Sequence, residues 1–306
     1  MGRLVDGQWI VGDVATTDKK GGYDRIPRSF LETVSVNSKH QPETNRYHLY
    51  VSYACPWAHR TLIFRELKNL TNHISVSVVS PDMLDDGWVF TDDYPDHLYN
   101  KKYLREVYQD ADPKISTSVT VPILWDKKEK TIVNNESSEI IRIFNSEFNN
   151  LTGNQDDYYP KHLRAEIDPL NEKIYHSVNN GVYKCGFAKT QKAYESAYLE
   201  LFDTLDFLES HLNNKKYLIG NQLTEADIRL IPTLLRFDLV YFVHFKCNKK
   251  RIVDYPNLFN YLKTHYQNPA IKKTTSIEHI KRHYYYSHDK INPYRIIPLG
   301  PEKFFE

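Results

Sequence analysis

The spacing of apolar and polar positions divides the chain into two regimes. Between residues 46 and 150 the apolar runs are short. Residues 47–52 read as a strand, and Ile74-Ser75-Val76-Ser77-Val78-Val79 alternates as a half-buried strand does. Residues 119–126 read as a third strand with a proline inside it, 127–130 as a charged hairpin turn and 131–133 as the return strand. A helix-forming run, 57–70, follows the first strand, and 134–139 leads into a second helix through Phe148. The predicted order is β-α-β-insertion-β-β-α. The insertion, 80–118, fits no simple element beyond a short helix within 98–108, and a connection of that length in a compact domain is usually functional.

Past a Gly, Asn, Asp and Pro linker at 151–160 the period becomes helical. Residues 163–178 predict one helix. Residues 192–212 predict another, with Ala197, Leu201, Leu205 and Leu208 on one face. Thr224 followed three residues later by Asp227 has the form of a capping box and opens a strongly apolar run through Phe245, expected to be a buried central helix. Further helices are expected at 257–264 and 269–278, and 283–301 is an aromatic, proline-rich tail. Residues 1–45 show little periodicity and read as an extended arm on the body. The expected division is therefore 1–45 arm, 46–150 α/β domain, and 160–306 all-α domain with a C-terminal extension.

Composition narrows the functional classes. The chain has 306 residues, room for two domains, and is 41% hydrophobic, enough for real cores. Forty basic and 39 acidic residues leave a net charge of +1, which gives no reason to expect nucleic acid or an anionic membrane as partner. Its three cysteines, Cys55, Cys185 and Cys247, are widely spaced, which excludes a disulfide scaffold and a four-cysteine zinc site and suits a reducing compartment. No apolar run approaches the roughly 18 residues of a spanning helix, and the first ten residues lack a secretory core. A cytoplasmic protein without a metal is the expectation. The 23 tyrosines are unusual, and most are expected in packing or on the surface.

Three stretches carry candidate chemistry. In Tyr50-Val51-Ser52-Tyr53-Ala54-Cys55-Pro56-Trp57 a strand runs into a cysteine, a proline and a helix. Proline suits the first helical position, so Cys55 stands where the first free amides converge. A helix start favours negative charge, and the thiolate is the nucleophilic form of a cysteine. Thioredoxin-like folds present a reactive sulfur in this way. The motif is Cys-Pro-Trp-Ala rather than Cys-x-x-Cys, so a single thiol needs a second one from outside, which points to glutathione. In the second stretch, a cis bond at Val121-Pro122 would present the backbone of Val121 to a peptide ligand as an added half-strand; an edge-strand proline is the plainer alternative. In the third, Glu136-Ser137 at a helix start would suit the zwitterionic γ-glutamyl end of glutathione, although such a pair is most often only a cap. His59 reads as a packed or surface histidine, Cys185 and Cys247 as plain thiols, and Asp227 as a cap rather than a catalytic acid.

The stretches YACPWAHRTL, DGWVF, TVPILWDK, TIVNNESSEIIRIFN, NNGVYKCGFA, LTEADIRLIPTLLRFD and HIKRHYYYSH resemble the Xi-class glutathione transferases, the glutathionyl-hydroquinone reductases, a group close to the omega class. The resemblance runs over about residues 46–300. It implies an N-terminal thioredoxin-like domain followed by a C-terminal all-helical glutathione-transferase domain, with glutathione as co-substrate and a homodimer. It makes Cys55 the nucleophile. Trp88 would cover the glutathione, Val121 and Pro122 would pair with its cysteinyl unit, and Glu136 and Ser137 would hold the γ-glutamyl end. Tyr183 and Tyr284 would line a quinone pocket as catalytic phenols, with Tyr285 and Tyr286 beside them. One departure is Ser118, which stands where the family often has an arginine for glutathione; Lys114 and Lys128 are nearby substitutes. An omega-like thioltransferase or dehydroascorbate reductase, and a non-catalytic interaction module, are the alternative readings.

Overall fold

The computed structural model describes residues 2–12, 16–25 and 27–301. Parts of the expected arm (1, 13–15 and 26) and the last residues of the helical region (302–306) lie outside the described residues. The chain forms two compact units. The first is built from described residues within Met1–Val14, Ile26–Asp156 and Thr274–His283, the second from those within Ala15–Arg25, Asp157–Lys273 and Tyr284–Glu306.

In the first unit, a hairpin of β1 (Gly2–Val5) and β2 (Gln8–Val11) precedes the main sheet. The main sheet has four strands: β5 (Tyr47–Val51), β6 (Ile74–Val78), β7 (Ile123–Asp126) and β8 (Thr131–Asn134), in the order β6-β5-β7-β8. β5 and β6 are parallel, and the other two pairings are antiparallel. Every residue of β5 is buried, as a central strand covered on both faces must be. Helices α1 (Pro56–Leu67), α2 (Leu104–Ala111), α3 (Ser137–Ser146) and α4 (Asn149–Thr152) complete this part, and α1 packs on α3.

The expected β-α-β-insertion-β-β-α order is present. Three boundaries differ for physical reasons. β7 begins at Ile123, directly after Pro122, because a proline cannot donate to the ladder. α1 ends at Leu67 because Asn69 turns left-handed, φ +57°. The helix in the insertion starts at Leu104, where the Glu106 carboxylate accepts the N–H groups of Lys102 (3.0 Å) and Tyr103 (2.7 Å) and closes its first turn.

The second unit is helical apart from a two-residue-per-strand hairpin, β3 (Thr16–Thr17) with β4 (Tyr23–Asp24). Its helices are α5 (Arg164–Ile174), α6 (Gly181–Phe187), α7 (Gln191–His211), α8 (Glu225–Arg236), α9 (Phe242–His244), α10 (Pro256–Tyr266) and α11 (Pro269–Thr274). π-helical turns, Tyr175–Asn179 and Phe237–Tyr241, continue α5 and α8. The expected capping box opens α8. Asp227 is fully buried; its carboxylate accepts Thr224 N–H (2.9 Å) and Oγ1–H (3.1 Å), and reaches further to Leu218 N–H (2.9 Å) and Tyr261 O–H (2.8 Å). The helix expected at 269–278 is two helices. Ser276 accepts Ile280 N–H on its carbonyl and His279 N–H on its hydroxyl, starting α12 (Ile277–Ser287) anew. The division between the units falls inside α12, after His283.

Candidate active site

Cys55 is the N-cap of α1, with extended backbone (φ −77°, ψ 121°), Pro56 at the first helical position and no side-chain cap on the helix start. The sequence folds this way because β5 delivers the chain to Ser52, whose carbonyl accepts Cys55 N–H (3.2 Å) and whose hydroxyl accepts Ala54 N–H (3.2 Å). Pro56 then starts the helix without using a donor. A helix start of this kind, with no hydrogen bond from the Cys55 side chain to it, favours negative charge beside it. Cys55 is partly exposed, and its Sγ lies 3.6 Å from the carbonyl oxygen of Val121.

The Val121-Pro122 bond is cis. Thr120, just before it, is held by Tyr108, whose hydroxyl donates to the Thr120 carbonyl at 2.9 Å. Among the described residues the Val121 N–H has no hydrogen-bond partner. One extended residue beside the sulfur therefore offers a donor, and an acceptor is already in contact with the thiol.

Glu136 is the N-cap of α3 and its carboxylate accepts Ser138 N–H (3.1 Å), Ser138 Oγ–H (3.1 Å) and Ser137 Oγ–H (3.3 Å). The capping role expected of such a pair is thus present. Arg60, on α1, approaches Ser137 Oγ at 3.4 Å and stacks its guanidinium 4.6 Å from the Trp57 ring. A fully buried cation therefore links the helix of Cys55 to the helix start that carries Ser137. Spacing alone did not single out Arg60. Its signal was an arginine one helical turn and a half past the cysteine, on a face that was otherwise apolar.

Trp88 is buried, with its ring stacked on His283 at 4.8 Å and 19°. His283 Nδ1 meets the Pro81 carbonyl at 2.9 Å, and Arg282 makes a two-point pair with Asp82 at 2.7 and 2.8 Å. The middle of α12 (Ile277–Ser287) thereby holds the loop that presents Trp88. His59 is wholly buried and bonded to Thr274 Oγ1 at 3.0 Å, a packing role as expected. Ser118 is half-buried beside Thr117. Of the two candidate substitutes for an arginine there, Lys128 is committed to Glu43 at 3.3 Å.

Tyr183 and Tyr284 belong to the second unit, and their hydroxyls share a hydrogen bond of 2.6 Å. Tyr241 adds a third phenol, 2.9 Å from Tyr284. Burial drives Tyr284 well above the ordinary tyrosine range; Tyr241 adds to this, and the nearby Arg236 guanidinium opposes it. Tyr284 therefore holds its proton at neutral pH and passes hydrogen-bond polarity between its two neighbours. Tyr285 points elsewhere, donating to the Leu239 carbonyl at 3.2 Å. Sequence reasoning missed Tyr241. The available signal was a tyrosine inside a strongly apolar run, whose hydroxyl must find a partner when buried, at the end of a π-helical turn, a feature frequent at functional sites. Among the described residues no group of three or more His, Cys, Asp or Glu side chains could hold a metal ion, and no helix is long and apolar enough to cross a membrane.

Comparison with known proteins agrees with this geometry. The family model for the glutathione S-transferase N-terminal domain matches residues 54–147, and that for the C-terminal domain matches residues 191–264. Glutathionyl-hydroquinone reductase YqjG of Escherichia coli is 51% identical over 98% of this chain and 95% of its own length. The crystal structure of glutathione S-transferase Xi from Phanerochaete chrysosporium is 52% identical and superposes with a TM-score of 0.92, covering 94% of this chain and 95% of that one. The glutathione-bound structure of YqjG superposes with a TM-score of 0.91 at 48% identity, over 99% of this chain and 97% of that one. With a cysteine at an uncapped helix start, a cis-proline beside it and likeness of this extent over both units, the chain belongs to the Xi class of glutathione transferases, the group of the glutathionyl-hydroquinone reductases.

Proposed function

We propose that the protein is a glutathione-dependent reductase that removes glutathione from glutathionyl-hydroquinones, with Cys55 as its nucleophile. The observation that carries the reading is the Cys55 thiol at the start of α1, 3.6 Å from the Val121 carbonyl. A tripeptide lying along Val121 would pair with its N–H and carbonyl. The α3 start with Ser137 and Glu136 would receive the γ-glutamyl end, and Trp88 would cover the ligand.

The Cys55 thiolate attacks the glutathione sulfur of the substrate. The sulfur–ring bond breaks, its electron pair goes to the ring carbon, and that carbon takes a proton. The products of this half are hydroquinone and a Cys55–glutathione disulfide. A second glutathione thiolate then attacks the glutathione sulfur of that disulfide, releasing oxidised glutathione and the Cys55 thiolate. Tyr183 and Tyr284 would bind the ring hydroxyls and help deliver the proton, an effect of about a hundredfold to ten-thousandfold for well-placed acid–base groups. Ping-pong kinetics follow. The same reading places the enzyme in the cytoplasm as a homodimer, on the strength of the resemblance.

The test is turnover of glutathionyl-menadione, or of a glutathionylated hydroquinone, by wild type and Cys55→Ser, with mass spectrometry for a glutathione adduct on Cys55. Full activity in Cys55→Ser would sink the mechanism. Activity on hydroxyethyl disulfide with none on glutathionyl-hydroquinones would select the thioltransferase alternative.

A further inference from the structure

The hairpin of β1 and β2 lies outside the main sheet, yet its contacts converge on two segments of the glutathione site. Its first strand bonds to the chain leading to Val121. Leu4 and Thr117 exchange N–H···O bonds of 2.9 and 3.0 Å, Gly7 N–H donates to the Ile115 carbonyl at 3.0 Å, and Asp6 N–H donates to Ser116 Oγ at 2.8 Å. Its second strand carries Trp9, which reaches the turn before Trp88. The Trp9 indole N–H donates to the Asp85 carbonyl at 2.9 Å. Gly87 has φ +72°, and a Cβ built on it would lie 2.8 Å from the Trp9 ring, so the ring rests directly on the glycine backbone. Arg105 closes the other side: its guanidinium lies 5.0 Å from the Trp9 ring and 3.7 Å from that of Tyr103, and it donates to the Asp86 carbonyl at 2.7 Å. The turn Leu84–Gly87 is thus pinned one residue before Trp88.

We propose that Trp9 is a positioning residue for glutathione: the N-terminal hairpin fixes the turn that presents Trp88, and through Leu4 it fixes the approach to Val121. Trp9 is held against Asp85, Gly87 and Arg105 and would act through Trp88. The inference rests on the reading of Trp88 and Val121 as glutathione contacts. Small displacements of positioning groups remote from the chemistry are costly, on the order of a hundredfold for an ångström.

The experiment measures glutathione affinity by titration calorimetry in Trp9→Ala, Trp88→Ala and the double variant, with amide hydrogen exchange over residues 84–90 followed in parallel. Trp9→Ala is expected to weaken glutathione about tenfold and to speed exchange over 84–90. In the Trp88→Ala background the same change is expected to cost nothing further, since residues acting through one another are not additive. Wild-type affinity in Trp9→Ala, or losses that multiply in the double variant, would overturn the proposal. Should Trp9→Ala not fold, Trp9→Phe keeps an aromatic side chain in place while removing the indole N–H bond and part of the ring. It is expected to weaken glutathione a few-fold, and unchanged affinity with unchanged exchange would overturn the proposal equally. If wild type itself binds no glutathione, the underlying reading fails, whereas the exchange comparison still tests whether Trp9 holds the turn.

Discussion

Replacing Asp227 with asparagine exchanges one oxygen for an NH₂ group and leaves shape almost unchanged. The carboxylate accepts four hydrogen bonds at 2.8–3.1 Å, two on each oxygen, in a fully buried place. The amide keeps one oxygen and its two partners. Its NH₂ must then face one backbone N–H, either that of Leu218 or that of Thr224, and one hydroxyl, of Tyr261 or of Thr224. A hydroxyl can turn and accept; a backbone N–H cannot. One buried donor is left facing a donor, at about 1–3 kcal/mol. The lost charge assistance on the remaining bonds and the weakened cap add about 1 kcal/mol. A destabilisation of about 3 kcal/mol is therefore expected, a large share of the 5–15 kcal/mol typical of a folded domain. Urea unfolding at pH 7 with thermal unfolding measures it, and glutathionyl-hydroquinone turnover well below the transition should stay near wild type. A variant as stable as wild type would refute the hydrogen-bond accounting, and a stable but inactive one would show Asp227 to be chemical rather than structural.

Burial lowers His48 from 6.5 to about 4, with its two ring nitrogens held by Ser75 Oγ (2.7 Å) and Ser77 Oγ (2.9 Å). The unfolded chain binds a proton there first, so this group removes stability as pH falls from 6.5 toward 4, by about 3 kcal/mol in all; urea unfolding across that range should show the loss, and His48→Gln should flatten it. Tyr241→Phe deletes the 2.9 Å partner of Tyr284 and is expected to lower kcat on a glutathionyl-hydroquinone by about three- to tenfold. KM for glutathione should stay unchanged, and an unaltered kcat would remove Tyr241 from the phenol chain.

The Cys55 arrangement was readable because its determinants are adjacent in sequence: a strand, a cysteine, a proline whose fixed φ suits a helix start, and an apolar helical run. The Asp227 cap was readable for the same reason. The N-terminal hairpin was also written locally and went unread. Asp6 and Gly7 take φ +47° and +74°, the primed turn that an Asp-Gly pair favours, but residues 2–11 are mostly half-buried or exposed and give no apolar alternation to mark the strands. The break at Ser276 was hidden because Thr274-Thr275-Ser276 holds no proline or glycine to mark it, while a single serine hydroxyl resets the helix. Trp88 on His283 and Arg60 on Ser137 could not be read at all. They join positions far apart in the chain, and no local spacing encodes such a meeting.

The lack of a resolving cysteine, inferred from the motif, is reinforced by burial. Cys185 and Cys247 are almost wholly enclosed in the second unit, and burial together with the neighbouring Cys185 thiol pushes Cys247 well above the usual thiol range. A thiol that meets no solvent is a poor attacker of a disulfide, because exchange requires access, and Cys247 in addition holds its proton. Neither can be expected to discharge a mixed disulfide on Cys55. The partly exposed Cys55 can be reached from solution, so the second sulfur must arrive with a diffusing thiol. In the proposed mechanism, the surfaces that hold the first tripeptide would have to remain in place while another thiol approaches that disulfide. On that reading, the support that the N-terminal hairpin gives to the turn before Trp88 and to the approach to Val121 would serve both half-reactions.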